Sequence, residues 1–326
     1  MDRPTATAAP DADGKAAPAR VICLGGVFWE SIFRVDHFPA RGIKLLPEGG
    51  RQLASGMAPA AAVAMNRLGV PAALWARVGD DVAGHSVRAD LAREGLDVAQ
   101  VCTRAGVATA FSSILVDPAG ERLVVPCFDP RLAEGADGLP VDAVRQAPAV
   151  LVDMRWPDAG QVLLERARAE GVPSVLDADL APVDALWRLM PLADHVLLSE
   201  VALERLMPAE SPDRALAALA GELPRAEVVG VTLGAGGALL AEPARGGAGV
   251  RAIPGFRVEP VDTLNAGDVW HGAYVAGLVE GLDLTARVRR AHAAAALKCT
   301  RPWGRLGAPD RAQVQAFLAA QDRVPA

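Results

Sequence analysis

The chain has 326 residues, of which 51% are hydrophobic and only 4% aromatic, with a net charge of −6 and a pI near 5.5. That length can bury a substantial core, in one large α/β domain or two smaller ones, packed through small side chains rather than aromatic clusters. The acidic balance leaves no footprint for nucleic acid, no stretch reaches the about 18 uncharged apolar residues of a membrane span, and neither C-x-x-C nor H-x-x-x-H spacing suggests zinc or a disulfide framework.

Residues 1–19 are rich in Ala, Pro, Asp and Thr and lack the apolar centre of a secretory signal. They read as a disordered tail on a cytoplasmic protein. Arg20 to Gly26 is a short, apolar, β-branched run closed by two glycines, the pattern of a strand buried on both faces. From Val27 to Pro47, apolar side chains such as Phe28 and Ile32 are interrupted by Glu30, Arg34 and Asp36, which predicts short strands leaving the main layer. Ser55 to Leu68 is small and apolar all round, hence a buried helix stopped by Gly69 and Pro71.

Ala72 to Val78 follows as a strand, and the loop from Gly79 to Gly84 turns into a helix ending at Gly95. Two runs between Ala108 and Val125 flank Pro118 to Glu121 as a hairpin, which can join the strands near Phe28 to Phe38 in a small second sheet. The second half alternates strands at 149–153, 174–177, 195–198 and 228–233 with helices at 159–170, 183–189, 201–206 and 214–220. Such a series predicts a doubly wound, mostly parallel sheet flanked by helices, with ligands outside the carboxyl ends of its strands. On that reading Gly25, Asp153, Asp177, Asp179, Ser199, Glu200 and Gly234 share one crevice with the stretch from Val261 to Ala273.

That stretch, VDTLNAGDVWHGA, reads as a strand exit, a tight loop and a helix over Val269 to Val279. Ala266 and Gly267 allow close approach to a ligand, Asn265 tolerates a left-handed backbone, and free N–H groups at the helix start favour an anion. Asp268 falls where a carboxylate can take a proton from an attacking hydroxyl. From the residues alone, Asp268 is equally readable as a helix cap and Asp262 as a turn residue.

The ordered set Gly25-Gly26, Gly56 with Arg67-Leu68-Gly69, Arg77 to Asp81, Thr232 to Gly237 and Asp262 to Asp268 resembles the ribokinase-like, or PfkB, carbohydrate kinases over about Arg20 to Leu318. Asp153 to Trp156, Val175 to Asp177, Asp194-His195 with Ser199-Glu200, His271 to Ala273 and Ala296 to Pro302 look like the branch containing sulfofructose kinase. The resemblance implies an ATP-dependent kinase domain over 20–326, with a β lid from about 28–52 and 108–127 that often pairs with another subunit's lid in a homodimer. It makes Asp268 the base and the N–H groups of Asn265, Ala266 and Gly267 the anion hole. Ser199, Thr232, Gly234, Gly237, Thr263, His292 and Ala296 would meet the nucleotide. Mg2+ would bind through the phosphates and water, with Glu200 the nearest carboxylate, alongside a candidate monovalent cation.

On the sugar side the resemblance points to Glu30, Gly56, Met57, Asp268 and the basic residues Lys44 and Arg155, which suit an anionic group such as a sulfonate. The departures gather there and at Ser199, with Asn265 the one unusual residue in the loop. Glu30 replaces the family's Asp, and Ser55-Gly56-Met57 replaces Gly-Gly-Asn. Ser199 and Ala202 replace the Asn and Glu of N-x-x-E, while Asn265 replaces the first Gly of G-A-G-D. The expected substrate is a ketose or anionic sugar derivative with a primary hydroxyl, sulfofructose foremost. The alternatives are a kinase for a neutral sugar or nucleoside, and a weakly catalytic sugar- or nucleotide-binding regulator.

Overall fold

The computed structural model describes residues 19–323, so the expected tail at 1–19 lies, but for its last residue, outside the described residues. Its central layer is a sheet ordered β13-β12-β11-β10-β9-β8-β1-β4-β5. In chain order these are β1 (Val21–Leu24), β4 (Ala72–Gly79), β5 (Asp97–Arg104), β8 (Val150–Asp153), β9 (Ser174–Ala178), β10 (His195–Ser199), β11 (Val228–Thr232), β12 (Ala238–Glu242) and β13 (Gly247–Ile253). From β5 to β11 all neighbours are parallel, and only β12 runs against the rest, pairing antiparallel with both β11 and β13. The chain winds outward from β1 to β5 and then returns to β8 on the other side, so the winding reverses between β1 and β8. A crevice opens at such a reversal, outside the carboxyl ends of the strands.

Helices cover both faces. One face carries α1 (Met57–Arg67), α7 (Ala266–Val279) and α8 (Leu284–Cys299), and the other α3 (Pro157–Glu170), α4 (Val183–Leu189) and α6 (Pro212–Glu222). The remaining helices are α2 (Val82–Arg93), α5 (Glu200–Leu206) and α9 (Arg311–Gln321). Small side chains let α1 and α7 meet almost backbone to backbone: a Cβ on Gly272 would stand 2.3 Å from the carbonyl oxygen of Ala61. This close packing explains how a chain so poor in aromatics fills its core.

A second, four-stranded sheet is ordered β3-β2-β6-β7, from β2 (Phe28–Arg34), β3 (Gly49–Ser55), β6 (Phe111–Val116) and β7 (Arg122–Cys127). The hairpin expected between Ala108 and Val125 is β6 and β7, paired from Phe111↔Cys127 to Val116↔Arg122. The short strands expected over Val27 to Pro47 are instead the single strand β2, and the chain pairs again only from Gly49. Ile32, Leu53, Ile114, Val116 and Leu264 form the apolar patch between this sheet and the α7 loop. Among the described residues no helix is long and apolar enough to cross a membrane.

Candidate active site

Two cavities meet over the start of α7. One, of about 370 Å³, includes Thr232, Gly234, Gly237, Trp270, His292 and Ala296 in its lining. The other, of about 610 Å³, lies between the small sheet and the crevice and includes Glu30, Gly56, Met57, Arg155, Ser199 and Asp268. Thr263, Ala266 and Gly267 line both.

The helix begins at Ala266, three residues before the expected Val269, because Asn265 turns the chain at φ 60° and the Val269 N–H reaches back to the Asn265 carbonyl at 3.0 Å. The Ala266 N–H donates to the Thr263 carbonyl at 3.2 Å and is therefore engaged within the turn. Gly267 and Asp268, in the first turn of α7, have N–H groups that no intrahelical carbonyl can reach. A Cβ on Gly267 would meet nothing within 4 Å, so the space before this turn is open to an incoming group.

Asp268 is held from the side. The Asn265 Nδ2 donates to its Oδ2 at 2.7 Å, while the Asn265 Oδ1 accepts from the Ser55 hydroxyl at 3.2 Å and the Arg305 N–H at 3.1 Å. Burial, reinforced by the Asp177 charge, pushes the Asp268 carboxyl up to about 7, partly opposed by the Asn265 hydrogen bond and His271. Its affinity for a proton is thus raised toward the neutral range, where a proton acceptor is most effective.

Below the loop, the fully buried Lys298 donates from Nζ to the Asp262 carbonyl at 2.6 Å and lies 3.1 Å from the Asp262 Oδ1. The two Asp262 oxygens also accept from the N–H groups of Leu264 at 2.7 Å and Gly304 at 2.9 Å. Asp262, readable from sequence as a turn residue, is the fixed point from which the loop departs. Arg305, equally buried, joins the Ala54 carbonyl, Asp90 and Glu94. Neither Lys298 nor Arg305 was assigned a role from sequence, although a charged residue inside small apolar runs such as AAAALKC is the signal that marks a buried pair.

The sugar side is built differently. Asp153 accepts from the N–H groups of Gly26 at 3.2 Å, Ala58 at 3.1 Å and Arg155 at 2.7 Å. A Cβ on Gly25 would stand 1.9 Å from its carboxylate, so no other residue fits there. Glu30 is buried, its Oε2 has no hydrogen-bond partner among the described residues, and burial pushes its carboxyl up to about 8. The His271 Nδ1 lies 3.1 Å from the Asp177 Oδ2 without hydrogen-bond alignment, and the net effect of the nearby Asp177 and Asp268 charges raises its pKa against burial.

Arg155 lines the acceptor cavity but donates to the Leu180 carbonyl at 3.0 Å and stands 3.8 Å from Asp179. Lys44 is not brought to the site. It is exposed between β2 and β3, outside the lining of both cavities, because this segment runs free of the sheet. Glu200 is likewise exposed and outside both, since it starts α5 on the turn after Ser199, whose hydroxyl accepts the Ala202 N–H at 3.2 Å.

In the first cavity Trp270 donates from Nε1 to the His292 Nδ1 at 3.0 Å, and the His292 Nε2 faces the Ile253 carbonyl at 3.2 Å. Burial pushes His292 down to about 4, leaving a neutral ring beside Trp270 and Ala296. Small residues flanked by flat rings suit a planar base, and the cavity leads directly to the Gly267 opening.

The profile of the pfkB family of carbohydrate kinases matches residues 19–311. ATP-dependent ribose-1-phosphate kinase from Halopiger xanaduensis is 30% identical over 307 residues, covering 92% of this chain and 98% of its own. Ribokinase from Haemophilus influenzae is 29% identical over 308 residues, covering 90% and 97%. A crystal structure of a protein provisionally called a ribokinase, from Agrobacterium tumefaciens, superposes with a TM-score of 0.91 at 38% identity, covering 94% of this chain and all of that one.

Proposed function

Because the chain belongs to the pfkB family of carbohydrate kinases, we propose that it transfers the γ-phosphoryl group of ATP to the primary hydroxyl of a sugar, with Asp268 taking the hydroxyl proton. The observation that carries this reading is the junction. Two cavities share Thr263, Ala266 and Gly267, and the half-buried Asp268 carboxylate, raised to about 7, stands on one side of them. A hydroxyl oxygen in the larger cavity attacks phosphorus, its proton passes to Asp268, and the N–H groups opening α7 receive the charge that spreads over the transferred oxygens.

Mg2+ supplies further charge neutralisation when the nucleotide brings it. Among the described residues no group of three His, Cys, Asp or Glu side chains is arranged for a metal ion, and Glu200 is exposed outside the lining of both cavities, so phosphates and water are its expected ligands. Assays with and without potassium decide whether a monovalent cation takes part. The exposed β7, with Leu123, Val124 and Val125 uncovered, suits pairing with a second copy's lid, which a solution mass measurement tests.

For the acceptor we favour an anionic sugar derivative, sulfofructose first, because Arg155 lies in the cavity wall and the Halopiger relative is named for a phosphorylated sugar. The ties of Arg155 to Leu180 and Asp179 favour the second reading, a neutral sugar such as that of the Haemophilus relative. ADP release with ribose, fructose, fructose 6-phosphate and sulfofructose separates them. Preference for the anionic sugars supports the first reading and equal use of all four removes it. No release with any of the four would remove both readings of the acceptor and turn the search to the nucleoside alternative.

A further inference from the structure

Of the residues that line both cavities, only Arg122 is charged. It opens β7, and therefore belongs to the small sheet rather than to the layer that builds the loop beneath it. Its Nη1 donates to the Thr263 hydroxyl at 2.8 Å, and the same hydroxyl donates to the Gly120 carbonyl at 2.9 Å. The turn preceding β7 is thus docked on the stretch entering the α7 loop. A Cβ on Gly120 would stand 3.4 Å from the Asp262 nitrogen. Arg122 forms no ion pair among the described residues, whereas Lys298 and Arg305 nearby are each committed to carboxylates. The guanidinium has five N–H donors in a planar fork, and one nitrogen is engaged by Thr263, so donors remain to meet an anion.

We propose that Arg122 is a catalytic residue, a guanidinium carried by the small sheet that contacts the phosphoryl group as it crosses from one cavity to the other. The inference rests on the kinase reading above. In the step, the bond from the sugar oxygen to phosphorus forms, the bond from phosphorus to the β–γ bridging oxygen breaks with its electron pair leaving on ADP, and the hydroxyl proton goes to Asp268. Negative charge gathers on the equatorial oxygens between Gly267 and the small sheet. The helix start supplies N–H groups from below, and Arg122 supplies a full positive charge from above. Docking of the small sheet and charge stabilisation are thereby joined in one side chain: with the sheet lifted, the transferring group keeps only the N–H groups. Arginines placed in this way are worth on the order of 10³-fold or more in kcat.

The test uses the full chain with whichever acceptor gives the highest turnover. For Arg122→Ala, kcat falls on the order of 10³-fold, while ADP affinity by calorimetry and the acceptor KM stay within about threefold. Guanidinium added to the assay restores part of the lost rate. Arg122→Lys keeps the charge and the reach to Thr263 but not the fork, and its expected loss lies between. Should the alanine variant fail to fold, the lysine variant carries the test, with full activity counting against the inference. A kcat within about threefold of wild type in Arg122→Ala, or a loss confined to the KM for ATP, overturns the inference while leaving the kinase reading standing. Absence of turnover in the wild-type chain removes both.

Discussion

The two sides of the site differ in how complete they are without a ligand. On the phosphoryl side, two sets of matched hydrogen bonds brace the loop: Asp262 with Lys298 and the Leu264 and Gly304 N–H groups, and Asn265 with Asp268 and the Arg305 N–H. On the sugar side, the Glu30 Oε2, the Ser112 hydroxyl and the His271 Nε2 are buried without hydrogen-bond partners among the described residues, and all three residues line the acceptor cavity, where the His271 Nδ1 faces only the Asp177 carboxylate at 3.1 Å. Unpaired buried polar atoms are costly, so a concentration of them in one cavity wall marks the place where a ligand rich in hydroxyl groups completes the protein. The lesson is that the reaction is built into the fold, and the choice of acceptor is left to groups that gain partners only on binding.

Breaking the matched side gives the largest expected effect. Lys298→Ala leaves the buried Asp262 carboxylate without its cation and is expected to cost about 3–5 kcal/mol of stability, read from denaturant unfolding. A loss under about 1 kcal/mol would show that the N–H donors alone hold Asp262.

Asn265→Gly tests the side-chain clamp on Asp268, since glycine keeps the positive φ and removes the hydrogen bond. About tenfold in kcat is expected, the worth of one hydrogen bond to a charged group. The direction in pH is also fixed. Asp268 must be ionised to accept a proton, so kcat/KM rises with pH through the region near 7 and levels off above it. The Asn265 bond favours the ionised form, and its loss moves that rise to higher pH. An unmoved profile would separate Asn265 from the base.

The smallest effect is expected on the unsatisfied side. Glu30, pushed up to about 8, is mostly protonated at neutrality, so Glu30→Gln changes the acceptor KM by no more than about threefold at pH 7. A tenfold rise at that pH would mean that the ionised carboxylate binds the sugar, and would bring Glu30 into line with the matched side.

How far the sequence disclosed this division follows from the kind of signal each part leaves. Continuous apolar runs made β1, β8 and β9 legible, and turn residues marked the β6–β7 hairpin. The strand β5, DVAQVCTR, escaped because it is an edge strand with little of its surface fully buried, and β12 and β13 escaped because the glycines at 234–237 and 246–249 interrupt the apolar pattern around them. The loop around Asp268 stood out by its small residues and acidic end. Its supports did not, because Asp262 with Lys298 and Asn265 with Arg305 are separated by 36 and 40 positions, and pairing at such distance has no local pattern. Lys44 illustrates the converse. Its position between strands of the small sheet suggested the cavity, yet the segment carries it into solvent. Arg122 left no mark in the sequence because its place depends on how the hairpin docks against the loop.

Asp268→Asn, compared with wild type for ADP release on the best acceptor and for ADP binding, bears most directly on the central claim that the half-buried carboxylate at the cavity junction drives the reaction. The raised pKa of Asp268 means that the folded chain holds a proton there which the unfolded chain has released between about pH 4 and 7, so ionisation costs stability as pH rises. The neutral Asn is therefore expected to leave the protein folded at pH 8, at least as stable as wild type. With ADP affinity retained, kcat is expected to fall by about 10²–10⁴-fold. Retention of most of the turnover would contradict the assignment of Asp268 as the base.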